Sequence, residues 1–585
     1  MMRTIGVLAA LCVLAGCGQT QRETPSWPKL AEEYVYTSLA NSPVEATSVG
    51  YHVHNGVPLD AQLDDYSPAA IEKQRQWYRD FRARLSQAVD QTKLTAEDRA
   101  DYALLSDQIS LALLEFDTIQ SYRHNPTLYV ELAGNGLYSP FVLKYAPESE
   151  RFEHIISRLR RVPALFDQAK HNLVSSPEIW TQTAKEENDG NIALIDAELR
   201  KACPAALSPD YDKAAGPAIE ALRAFNTYLE KDLSQHPYDW RLGKETYGRK
   251  FRAVLETDMT PEQALAEAES RLAKTRDEML QLATPLYRKT RAKGTAGKSL
   301  NEVVTAVLDQ IAQRHASFDT YFSDARRDLD ETRKFVIAKN LLSLPPNDNL
   351  QVIETPEFMR GIYSVGGFNP APALEPQLGA FYWITPLSKD WPKAKIESKL
   401  KENNYYGLKI LTIHEAMPGH YVQSEYADGI QPPLRRVIRA VFGNGPYVEG
   451  WAVYATEMML DEGYLDHNPE LRLTFLKHQL RVLANTILDV RLQTMSMTDQ
   501  QAMDLMLKDT FQEQEEASGK LRRAKLSSAQ LPTYFTGWHG WRQIRSEYQK
   551  AQGAAFQLKE FHERALNEGA VPLPELAKLL AAAGK

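Results

Sequence analysis

Apolar residues recur three and four positions apart through most of this 585-residue chain. No other feature constrains it as strongly, because that spacing fits the turn of an amphipathic helix. The pattern predicts helices over Ile71 to Val89, Glu97 to Phe116, Glu150 to Asn172, Pro177 to Ala202, Lys213 to Leu233, Pro261 to Leu282 and Leu300 to Ala312. Their starts are marked: Thr260-Pro261-Glu262 offers a capping hydroxyl and then proline, and Thr95-Ala96-Glu97-Asp98 puts acids in the first turn. Leu350 to Ser388 departs from this background. It carries Pro356, Pro370, Pro372, Pro376 and Pro386 around Gly379-Ala380-Phe381-Tyr382-Trp383-Ile384-Thr385, and reads as short strands and loops. The expected fold class is mainly α, a large helical body with a small β-sheet, and no internal repeat points to a solenoid.

The N-terminus reads as a targeting segment rather than part of the body. Arg3 precedes a short apolar run from Ile5 to Leu14, which ends in Leu14-Ala15-Gly16-Cys17. The run falls short of the roughly 20 residues that cross a bilayer. Small residues before a cysteine resemble a lipobox, so residues 1–16 are expected to leave as signal peptide and Cys17 to carry lipid. Gly18 rather than aspartate follows, which resembles cargo of the outer membrane facing the periplasm of a Gram-negative cell envelope. Residues 17–27 are polar with few apolar side chains and read as a tether.

Of the three cysteines, Cys12 leaves with the signal and Cys17 takes lipid, so Cys203 has no partner and is expected as a buried thiol. The net charge of −8 is spread among well-mixed acids and bases, with no basic field to select nucleic acid.

Chemistry concentrates in Leu411-Thr412-Ile413-His414-Glu415-Ala416-Met417-Pro418-Gly419-His420-Tyr421-Val422-Gln423. This resembles the zinc peptidase motif His-Glu-x-x-His with two residues inserted. The ordinary motif places two imidazoles on one helix face, with the glutamate turned towards the attacking water. A six-residue step turns a helix by about 600°, leaving His420 roughly 120° from His414. Pro418 lacks the N–H that would bond the His414 carbonyl, and Gly419 tolerates unusual dihedrals, so a bulge here is expected to restore convergence. The competing reading is a helix-turn-helix elbow with structural histidines.

A second helix is expected over Tyr447-Val448-Glu449-Gly450-Trp451-Ala452-Val453-Tyr454-Ala455-Thr456-Glu457, where Glu449 is placed to act as a third ligand. Two histidines and a carboxylate leave the fourth zinc position to water. Glu457 lies near the same face and suits either a bond to a ligand histidine or a solvated surface with Asp461 and Glu462. His52, His54, His467 and His478 fit no ligand pattern.

Together, His414-Glu415-x-x-Pro418-Gly419-His420-x-x-Gln423 and Glu449-Gly450-Trp451-Ala452-x-Tyr454-x-x-Glu457 resemble the marks of the bacterial family called domain of unknown function 885. The resemblance continues through Arg481, Asp489-Val490-Arg491 and Gln530 to Gly537, with Ser528-Ala529 and Pro532-Thr533 departing from the usual last segment. It implies a helical, gluzincin-like metallopeptidase fold with a deep cleft, similar to thimet-type oligopeptidases and helical carboxypeptidases. On that basis residues 28–585 form one metallopeptidase-like domain, with an N-terminal lobe over about 28–285 and a catalytic lobe over about 286–585.

The function expected is a zinc-dependent hydrolase of short peptides. His414, His420 and Glu449 would hold the metal, and Glu415 would pass a proton from water to the leaving amine. Tyr534 is the candidate donor to the oxyanion, against an alternative as a packed tyrosine. The strand Ala380 to Thr385 is expected to pair along one edge with an extended substrate. A metal-dependent esterase or amidase and a non-catalytic lipoprotein binding module are the competing functions. Oligomeric state and end preference are not encoded in these motifs.

Overall fold

The computed structural model describes residues 26–290, 298–345, 349–355, 360 and 365–582. The signal segment, Cys17 and the tether up to residue 25 lie outside the described residues.

The helical reading holds, with informative differences at the boundaries. Helices span Pro68–Ala88, Ala96–Leu114, Ser208–Lys231 and Leu300–Ala312. The stretch expected as one helix from Glu150 to Asn172 is two, Glu148–Leu159 and Val162–Asn172. Pro163 lacks an N–H, so the first helix ends before it and the second begins with it. The helix that starts at Pro261 continues to Thr290. Thr95 Oγ1 accepts the Asp98 amide at 3.1 Å, and Thr260 and Gln263 cap each other reciprocally.

The proline-rich region forms a three-stranded sheet in the order Leu350–Glu354, Ala380–Ile384, Gly366–Asn369. The middle strand pairs in parallel with the first and antiparallel with Gly366–Asn369. This corrects the expectation for Ala380 to Thr385. Its ladder bonds are taken on both sides, and the edge strands are Leu350–Glu354 and Gly366–Asn369. A fully apolar run such as Ala380–Ile384 is better suited to the sheet centre than to a rim.

The core divides elsewhere than at the lobe boundary expected near residue 285, which falls inside the Pro261–Thr290 helix. The largest core joins residues Trp27 to Leu113 with residues from Ala268 to Leu580, while Tyr129 to Leu233 form a core of their own. Helical periodicity shows which face is buried but not against which partner. Cys203 packs at the margin of that second core and is half-buried rather than buried. Among the described residues, no helix is long and apolar enough to cross a membrane.

Candidate metal centre

The helix Tyr405–Glu415 begins at Asn404, whose side chain accepts the Tyr406 and Gly407 amides at 3.1 and 3.2 Å. Two contacts fix its rotation. Lys409 is buried and donates to Asp328 at 2.8 Å and Glu331 at 2.7 Å. Thr412 shares a 3.1 Å hydrogen bond with Tyr382 of the central strand. His414 and Glu415 therefore emerge on the last turn.

The expected bulge is instead a complete break. The first helix stops at Glu415, the chain turns through a cis Met417–Pro418 peptide, and a new helix, His420–Asp428, starts at the second histidine. Gly419 closes the turn by donating its amide to the Ile413 carbonyl at 2.9 Å. A Cβ on Gly419 would lie 1.8 Å from the His414 carbonyl oxygen, so no other residue fits. From the helix Gly445–Asp461, buried Trp451 donates its indole N–H to the Pro418 and Gly419 carbonyls at 3.0 and 3.2 Å. The Gly419 carbonyl also accepts the Gln423 amide of the new helix at 3.1 Å, and the indole adds a second donor there while supplying one to the Pro418 carbonyl.

This turn brings together three side chains that the sequence reading named. Glu449 Oε2 lies 3.6 Å from His414 Nε2 and 3.4 Å from His420 Nε2, and the two imidazoles meet edge to face. Possible ligand atoms from all three residues lie within 4.8 Å of one another. Ligand atoms about 2.1 Å from a tetrahedral zinc would sit roughly 3.4 Å apart, a spacing that the two Glu449 distances match. Among the described residues, Glu449 Oε2 is buried without a hydrogen-bond partner, and so is His420 Nδ1. Burial alone would raise the Glu449 carboxyl, but the two imidazoles outweigh it and hold the group well below the usual carboxylate range.

Glu415 projects beside the triad, and the Phe368 amide of the edge strand hydrogen-bonds its carboxyl. Burial, aided by the Glu449 charge, pushes Glu415 up to about 7, against the opposing pull of His414 and that amide. The Phe368 ring stacks near His420 with centroids 6.2 Å apart, so the edge strand forms one wall of the site.

Tyr534 stands in the helix Thr533–Gln552, close enough to Glu449 and Glu415 that both carboxylates, after burial, raise its phenol above the ordinary tyrosine range. It stays protonated and able to donate. Its helix and the Glu449 helix cross with backbones touching: a Cβ on Gly450 would lie 2.3 Å from the Gly537 carbonyl carbon. Glu415, Glu449 and Tyr534 are enclosed by protein, yet each keeps part of its surface open, as the walls of a concavity do.

Glu457 is placed differently from either expectation. It is buried, accepts the Trp538 indole N–H at 2.7 Å and faces Arg542 at 3.6 Å. Its role is to join the Glu449 and Tyr534 helices rather than to orient a ligand histidine, because its turn of the helix points at the crossing. The sequence reading passed over a basic group near the site. Lys477, His478 and Arg481 lie on Pro469–Thr494, and Lys520 and Arg523 on Gln514–Leu526. His478 is close enough to feel His414, and after burial nearby cations help lower it to about 3. The four-residue spacing of Lys477 with Arg481, and of Glu516 with Lys520, was the available signal.

No curated protein matches the chain. Two of the solved structures similar to it show the same fold. One, described as a candidate lipoprotein of unknown function from Shewanella oneidensis, is 30% identical, with a TM-score of 0.81 over 95% of this chain and 100% of that one. The other, described as a candidate lipoprotein from Colwellia psychrerythraea, is 17% identical, with a TM-score of 0.76 over 96% and 99% of the two chains. The family model described as bacterial protein of unknown function, DUF885, matches residues 43–580, and this chain belongs to that family.

Proposed function

We propose that the protein is a zinc-dependent peptide hydrolase of the gluzincin-like kind. The observation that carries this reading is the convergence of His414, His420 and Glu449 at zinc-ligand spacing, with Glu415 beside them. A zinc ion held there supplies Lewis acidity and lowers the pKa of water to near 7. Glu415 takes the proton of the attacking water and delivers it to the leaving amine. The Tyr534 phenol donates to the carbonyl oxygen as negative charge grows on it, and the enclosed setting strengthens that bond. The Gly366–Asn369 edge offers backbone groups to an extended peptide, a mode that reads main chain more than side chain.

The same proposal places the protein in the cell envelope, anchored by lipid on Cys17 and facing the periplasm from the outer membrane. The Leu14-Ala15-Gly16-Cys17 sequence supports it, as does the description of the Shewanella oneidensis relative.

The test uses the lipidated chain extracted in detergent, supplied with zinc and assayed for bound metal by elemental mass spectrometry. Hydrolysis of a mixed oligopeptide library is then compared between wild type and Glu415→Gln. One zinc per chain, with cleavage lost in the variant, is the expected result. Absence of metal after zinc is supplied would overturn the ligand assignment, and metal without peptide cleavage would redirect the function to an ester, another amide or binding.

A further inference from the structure

The basic group beside Tyr534 holds more cations, Lys477, Arg481, Lys520 and Arg523, than carboxylates, Glu402 and Glu516. Glu402 is shared by Lys477 at 3.3 Å and Arg481 at 3.4 Å, and Glu516 is paired with Arg481. Lys399 also lies within electrostatic reach of Glu516. Both carboxylates are thus engaged. Lys520, half-buried on the same helix as Glu516, has no hydrogen bond or ion pair among the described residues, although it lies near Arg481, Arg523 and Glu516. Burial, and after it the two guanidinium groups, lower its amine to about 7. Glu516, the carboxylate near Lys520, is already paired with Arg481, so an ammonium set beside two guanidinium groups is favoured by an anion from outside that completes the group.

The place of these cations relative to the bond to be cut narrows the anion. Arg523 donates to Tyr534 Oη at 3.4 Å and to Gln530 at 3.1 Å. Tyr534 in turn lies close to Glu449 and Glu415. The phenol therefore stands between the metal triad and the basic group. One peptide residue spans about 3.8 Å between Cα atoms, so an anion held by Arg523, which bonds that phenol at 3.4 Å, lies within about a residue of a carbonyl held at Tyr534. The anion a peptide carries at that distance from its last amide bond is its own terminal carboxylate.

We propose that Lys520, with Arg523 and Arg481 behind it, binds the free C-terminal carboxylate of the substrate, so that the protein trims peptides from the C-terminal end. This rests on the hydrolase reading above for the cleavage step, but the carboxylate subsite does not require turnover. It is tested by calorimetry on the zinc-loaded full chain carrying Glu415→Gln, titrated with an N-acetylated tripeptide as free acid and as C-terminal amide. The acid is expected to bind at least roughly 10-fold tighter than the amide, as a charge-assisted contact would give. Adding Lys520→Met should remove most of that difference while leaving amide binding and the circular-dichroism melt unchanged. If that variant misfolds, Lys520→Gln takes its place.

Equal binding of acid and amide, or binding of neither, overturns the proposal. So does an amide ending in glutamate that binds as tightly as the free acid, because the pocket would then read a side chain. Wild-type turnover separates the two readings. Equal cleavage of acid and amide leaves the hydrolase standing and removes end recognition. Cleavage of neither, with the binding difference intact, leaves the carboxylate subsite standing and removes hydrolysis.

Discussion

Two histidine clusters in this protein contain the same groups and are built to opposite ends. Around His52, Nδ1 meets Asp60 at 2.9 Å and Nε2 meets Glu375 at 3.1 Å, while Tyr145 stacks on the ring with centroids 4.4 Å apart. Asp60 also accepts from Thr47, which accepts from Arg158. Both ring nitrogens of His52 are satisfied by protein, and the cluster ties the loop holding Glu375, between the edge and central strands, to the N-terminal helices. At the candidate metal centre two imidazoles crowd one carboxylate, and among the described residues Glu449 Oε2 and His420 Nδ1 find no hydrogen-bond partner. A satisfied network holds structure, whereas two ring nitrogens and a carboxylate oxygen converging at 3.4 and 3.6 Å suit a cation between them.

The sharpest way to break that contrast is to exchange ligands. His420→Ala or Glu449→Gln should take bound zinc from one per chain to none by elemental mass spectrometry, with turnover lost, while His52→Gln keeps its metal. Zinc lost from His52→Gln as well would erase the distinction between the clusters.

Next in size is Gly419→Ala, in which the new methyl collides with the His414 carbonyl. Urea denaturation should show a loss of about 3 kcal/mol or more, since backbone on both sides must move. A shift near zero would mean that the turn between the histidines is not the rigid element described here.

Tyr534→Phe removes one donor without disturbing a ligand. A fall in kcat of roughly 100-fold is expected with zinc content unchanged. A fall smaller than about threefold would return Tyr534 to a packing role.

The smallest effect belongs to the satisfied cluster. Burial lowers the His52 pKa, but Asp60 and Glu375 together outweigh it and the net shift is upward. Its contribution is therefore complete below the unfolded value and fades as pH rises through the higher folded value. His52→Gln should cost about 1 kcal/mol in acid solution, and the difference from wild type should narrow above neutral pH in thermal melts. A constant difference across pH would show that His52 is held neutral.

The features legible in the sequence were those written in local order. Helix existence followed from periodicity, and the histidine pair from residue types around Pro418-Gly419, because those signals lie within a few turns of one another, while Glu449 came from a second local motif. The division of the core, the strand order and the partner of Glu457 depend on contacts between distant segments. Glu457 meets Trp538 across 81 positions. Edge and centre of the sheet were exchanged because an apolar run reports burial and not neighbours. The basic group was overlooked for a related reason: each of its helices looks like an ordinary solvated face until the two are brought beside Tyr534.

The crossing at Gly450 and Gly537 sets a dimension of the site by the radius of the main chain itself. At that point no side chain separates the two helices, whereas Glu457 with Trp538 and Trp451 with Trp541 fill the crossing elsewhere, so the gap from Glu449 to Tyr534 is set first by main-chain contact. Whatever closes on a bound molecule must approach from the sheet or from the basic helices, since the carboxylate and the phenol move as one piece.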